Sequence, residues 1–66
     1  MDFETLLYLA EIYQERGMFH ISDLFYIAAD ASVIGNQKIV HGLVKIAMAE
    51  LERNPTIIKQ GELIAG

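Results

Sequence analysis

The chain has 66 residues, 53% of them hydrophobic, with no cysteine, one proline and a formal net charge of −4 from 5 basic and 9 acidic side chains. A chain this short buries only about 60% of the surface its unfolded form exposes. Without cysteine, neither a disulfide nor a thiolate zinc site can staple it. The composition excludes a secreted disulfide scaffold, a disordered tail and a basic nucleic-acid binder, and leaves almost no room for a self-contained enzyme.

The opening Met1-Asp2-Phe3-Glu4 carries acids where a secretory or transit signal would carry bases. The longest apolar run, Leu24 to Ala29, ends at Asp30, far short of the roughly 18 residues that a membrane span needs. The expectation is a cytoplasmic protein with no nucleic-acid and no membrane partner. Charge is unevenly spread: residues 1–33 hold six acids against Arg16 alone, a net −5, whereas residues 34–66 are net +1. The acidic half would repel phosphate and attract a basic peptide or a basic face of another subunit.

In chain order, the first predicted helix spans about residues 2–16. Phe3, Leu6, Leu7, Ala10 and Tyr13 recur at spacings of three and four and fall on one stripe. Glu4, Glu11 and Glu15 lie opposite, with Tyr8 and Ile12 beside them, and Gly17 supplies the left-handed residue that ends a helix. The second predicted helix covers about 21–34, capped by Ser22 or a neighbour and closed by Gly35. Its apolar residues point almost all round the axis, with only Asp23 and Asp30 marking a polar line. Such a helix is buried on most sides, and two short neighbours cannot easily cover it. A buried strand is the alternative for Leu24-Phe25-Tyr26-Ile27, but Ala28, Ala29 and Ala31 favour helix.

A third helix, about 37–53, opens at the cap Asn36 and carries Val40, Leu43, Val44, Ala47 and Leu51 as its core stripe, flanked by Ile39 and Ile46. Gly42 costs roughly 1 kcal/mol inside a helix. With Ala49 two turns on, it forms a small-residue strip that faces either a closely packed helix or solvent and the first helix. Asn54-Pro55 stops this helix. The tail, 55–66, holds Ile57, Ile58, Leu63 and Ile64 and reads as a short helix, an arm docked on a neighbouring subunit, or a frayed end. The fold expected is all-α: a helical hairpin plus a third helix in one domain, with a short apolar tail, completed by oligomerisation.

The first two helices carry Leu6-x2-Leu9-Ala10-x2-Tyr13, then Gly17, then Ser22-x3-Tyr26-x2-Ala29. This pattern resembles a tetratricopeptide repeat, in which small residues let paired helices approach while bulky ones interlock around them. The resemblance covers residues 3–36 and departs from the family where Ile34 stands in place of the usual proline. In a following repeat, Val44 would replace the small residue and Ala47 the tyrosine, so the likeness is to one repeat plus an extra helix. It implies an interaction surface on Glu4, Leu7, Glu11, Gln14 and Glu15, and hence a basic or amphipathic protein segment as ligand. An ordinary solvated face is the plainer reading of the three glutamates. Such repeats bury a continuous core only by stacking, so a single one must borrow neighbours.

Chemistry-bearing patterns are sparse. There is no cysteine nucleophile, no glycine-rich phosphate loop and no Gly-x-Ser-x-Gly elbow. Neither His20 nor His41 follows a carboxylate by three residues, as carboxylate-bridged metal bundles require. His20 pairing with Asp23, or gathering with Asp30 and His41 between subunits, is the one metal arrangement on offer, and a capping or surface histidine is the simpler reading. No catalytic residue, metal or cofactor is expected. The functional expectation is a non-catalytic interaction or adaptor module using the acidic face and the apolar surface of the second helix and tail. The alternatives are a structural homo-oligomer of a virus or mobile element, or a small regulator or inhibitor. A dimer is the expected assembly, its interface formed by Tyr26, Ile27, Val33, Gly42, Ala49, Ile57, Ile58, Leu63 and Ile64.

Overall fold

A computed structural model describes residues 1–53. The expectations for Asn54, Pro55 and the tail, including Ile57, Ile58, Leu63 and Ile64, lie outside the described residues. Three helices follow one another: α1 (Phe3–Glu15), α2 (Phe19–Val33) and α3 (Gln37–Arg53), as the all-α expectation required.

Capping sets these boundaries. Asp2 precedes α1, and its carboxylate accepts from the Thr5 backbone N–H at 2.9 Å. Hydrogen bonding from Thr5, side chain first and backbone second, holds the Asp2 carboxyl below its ordinary value. The two turns use one device. Gly17 (φ 75°) donates to the Gln14 carbonyl and Met18 to the Tyr13 carbonyl; Gly35 (φ 79°) donates to Ser32 and Asn36 to Ala31. Both are the paired closure in which a left-handed glycine reverses the chain and satisfies the last helical carbonyls. Asn36 then caps α3 as expected, accepting from the Ile39 N–H at 3.3 Å.

The start of α2 corrects the sequence reading. The helix begins at Phe19, with Met18 in the cap position and no side-chain cap. Ser22 lies inside the helix, is 2% exposed, and donates its hydroxyl to the Ala10 carbonyl of α1 at 2.7 Å. The tight closure at Gly17 lets the helix restart two residues before the predicted 21, so Ser22 becomes a bridge between helices.

Helix α2 is the shared element, packing against α1 on one side and α3 on the other. It contributes six buried residues (Ile21, Ser22, Phe25, Ala28, Ala29 and Ala31), while Leu6 and Ala10 come from α1 and Val40 and Ala47 from α3. Phe25 is fully buried, with its ring stacked on Tyr13 at 5.7 Å between centroids. Small side chains at Ala10, Ser22, Ala28 and Ala29 permit the close approach that Phe25 and Leu6 then fill. Two stripe assignments shift. Phe3, the first residue of α1, is exposed although it shares the spacing of Leu6, Ala10 and Tyr13, and Leu9, which the predicted stripe omits, packs against the core. On α3, Leu43 and Val44 pack against the core but are only half-buried.

Candidate interaction surface

Among the described residues the two histidines do not gather with Asp30. His20 Nδ1 lies 2.8 Å from Glu50 Oε2, joining the start of α2 to the end of α3, so the exposed His20 meets Glu50 rather than Asp23. The register is that of antiparallel helices, and it separates His20 from His41. Among the described residues no three His, Cys, Asp or Glu side chains come together as a metal site would require. His41 instead lines an open cleft of about 320 Å³ with Met1, Gln37, Val40 and Val44.

The five residues implied as a partner-binding face divide into two groups. Glu4, Glu11 and Glu15 are all exposed, and spacings of four, three and four place them with Tyr8 on a single row of α1. Tyr8, 63% exposed, stands in the middle of that row and belongs to the candidate face. Its position beside the glutamates was legible in the helical spacing. Leu7 and Gln14 sit on the neighbouring row, turned towards α2. Leu7 is half-buried, and Gln14 accepts a hydrogen bond from the Tyr26 hydroxyl at 2.9 Å. Gln14 therefore ties the hairpin together.

The predicted oligomer surface also divides. Tyr26 packs against the core and points at Gln14, on the α1 side of α2, and Val33, seven residues on, shares that edge. Ile27 (52% exposed) and Ile34 (77%) lie on the opposite, outer row with His20. Across the seam, Ile39 (46%) and Ile46 (47%) share an edge of α3 with Glu50. Because His20 meets Glu50, these two rows lie on the same side of the molecule. Gly42 and Ala49 follow on the next row of α3. A Cβ at Gly42 would meet no atom of the described residues within 4 Å, so among them this small-residue strip faces open space rather than α1.

No family model, curated protein or solved structure matches the chain. Among the described residues, no helix is long and apolar enough to cross a membrane.

Proposed function

We propose that this chain is a small helical interaction or adaptor module, working through its surfaces rather than by bond chemistry. The observation that carries this reading is the exposed apolar surface: ten large hydrophobic side chains among the described residues are at least 40% exposed. Scattered singly, such residues would mean nothing. Here Ile27, Ile34, Ile39 and Ile46 line up along one seam, the pattern of a surface that another element covers.

The tetratricopeptide-like reading adds a partner class. Leu6, Ala10, Ser22 and Ala29, four positions of the quoted pattern, are at most 2% exposed where α1 crosses α2, which supports a repeat-like hairpin. On that reading Glu4, Tyr8, Glu11 and Glu15 receive a basic amphipathic segment, with Tyr8 stacking between flanking acid–base pairs. The test is a fluorescence-anisotropy titration with a labelled Lys/Leu amphipathic helical peptide. The variant Glu4→Lys/Glu11→Lys/Glu15→Lys should weaken binding by at least about tenfold, with salt acting in the same direction. Equal affinity for both proteins would mean that the glutamates only solvate α1.

A further inference from the structure

We propose that the isoleucine seam is the contact for a second copy of this chain, in a two-fold dimer that lays α2 of each protomer on α3 of the other. This deepens the interaction-module reading and rests on it.

The observation is the order of side chains across the surface. Starting from the α1 side, α2 presents Asp23 and Asp30, both exposed, and then Ile27 and Ile34. Crossing to α3, Ile39 and Ile46 come next, then Gly42 and Ala49, then the exposed Lys38 and Lys45. Each pair is seven residues apart and so forms a row along its helix. The apolar seam therefore has an acidic rim on one side and, on the other, a rim that is basic at Lys38 and Lys45 before the same row ends at the exposed Glu52. Among the described residues none of Asp23, Asp30, Lys38 and Lys45 makes an ion pair of its own.

The His20–Glu50 contact sets the heights of the rims. Ten residues on from His20 and ten back from Glu50, Asp30 is level with Val40, so Lys38 is two residues, or about 3 Å, away along the axis. By the same count Asp23 is level with Ala47, again two residues from Lys45. The two rims are thus in register.

A surface of this kind matches a partner carrying the same two rims in reversed order, and a second copy supplies one. A two-fold axis lying in the interface and parallel to the helices sets α2 against the partner's α3 at unchanged height. Asp23 then faces the lysine at position 45, and Asp30 the one at 38, twice over by symmetry. The isoleucines of α2 meet those of α3 and enter the shallow ground at Gly42 and Ala49, where no described residue lies above the glycine. The other in-plane axis, perpendicular to the helices, would set acid on acid and is disfavoured by repulsion. A uniformly basic segment would leave Lys38 and Lys45 unmatched, so the seam and the glutamate face of α1 suit different partners.

The rims give a test that leaves the core untouched. Molar mass is measured by light scattering over a concentration series for the wild type, Asp23→Lys/Asp30→Lys and Lys38→Asp/Lys45→Asp, with circular dichroism confirming helicity. The wild type should approach twice the chain mass. Each variant alone sets like charges together and should dissociate at concentrations about 100-fold higher or more. An equimolar mixture of the two variants restores opposite charges at every rim contact and should recover the dimer. A wild-type dimer indifferent to both variants would overturn this interface while leaving the interaction-module reading standing. A wild type that stays monomeric over the whole concentration series would overturn the dimer. The α1 triple variant should dimerise normally, which separates this test from the peptide titration.

Discussion

The two seams of α2 are built differently. Against α1 it makes a fully buried Phe25 stacked on Tyr13, a buried hydroxyl-to-carbonyl bond from Ser22 and a Tyr26–Gln14 bond. Against α3 the wholly buried contributions of the third helix are Val40 and Ala47, while Ile39 and Ile46 stay exposed and His20 meets Glu50 in a polar contact at the surface. An exposed pair of that kind contributes at most about 1 kcal/mol. The difference teaches where the fold is self-sufficient: the hairpin carries its own specificity, whereas α3 is held on one face and offers the other.

The most severe way to probe this asymmetry is to cut one large side chain from each seam. Phe25→Ala should cost about 3–5 kcal/mol, the range for truncating a buried aromatic. A domain of this size has a total of only about 3–10 kcal/mol at the usual stability per residue, so the variant should lose its cooperative thermal transition. Leu43→Ala, which removes a half-buried side chain, should cost about 1–2 kcal/mol and keep a transition at lower temperature. Equal losses in the two variants would show that the seams are equally strong.

A gentler probe uses the two glycine closures, whose geometry is almost the same. Both sit at positive φ with no atom of the described residues within 4 Å of where a Cβ would lie, so an alanine meets conformational cost, about 1–2 kcal/mol. The positions differ in what they join. Gly17→Ala strains the hairpin and should lower amide-exchange protection in all three helices. Gly35→Ala strains the connection to α3 and should lower protection chiefly in α3, because that helix opens at smaller free energy. Uniform loss of protection in both variants would make the three helices one cooperative unit.

The same asymmetry explains what the sequence disclosed. On α1 and α3 the apolar residues recur at three and four and are punctuated by Gly17, Gly35 and Asn36, so these helices and most of their core stripes could be read directly. Helix α2 gave no such phase. With Leu24, Phe25, Tyr26, Ile27 and the alanines pointing all round, the spacing cannot say which side is covered, and it does not separate Tyr26 and Val33 from Ile27, which lies on the other edge of the exposed face. Ser22 shows a second limit. A small hydroxyl residue near a helix start reads as a cap, but the same group serves as a donor across the hairpin, and only the partner carbonyl of Ala10 distinguishes the two. The facing rims of Asp23 and Asp30 against Lys38 and Lys45 depend on the height set by His20 and Glu50, a contact thirty residues apart that no local pattern encodes.

The smallest expected effect tests the free ends of the same two seams. Helix α1 is capped by a carboxylate, Asp2, and α3 by a neutral amide, Asn36, so acid reaches one cap and not the other. The Asp2 carboxyl is held below its ordinary 3.8 by hydrogen bonding from Thr5. A carboxyl depressed by folding stabilises the folded state above its unfolded value, and that contribution fades as pH falls through the folded one. Melting temperature followed from pH 5 downward should therefore contain a loss below about 4 that comes from α1. Asp2→Asn keeps a cap of the same shape without the titrating group. It should flatten that part of the profile while leaving the neutral-pH melting temperature nearly unchanged. The Asn36→Asp substitution should create a new acid-sensitive step at α3. If Asp2→Asn leaves the acid limb as it was, the cap contributes nothing measurable to the pH dependence, and the loss arises from the other carboxylates.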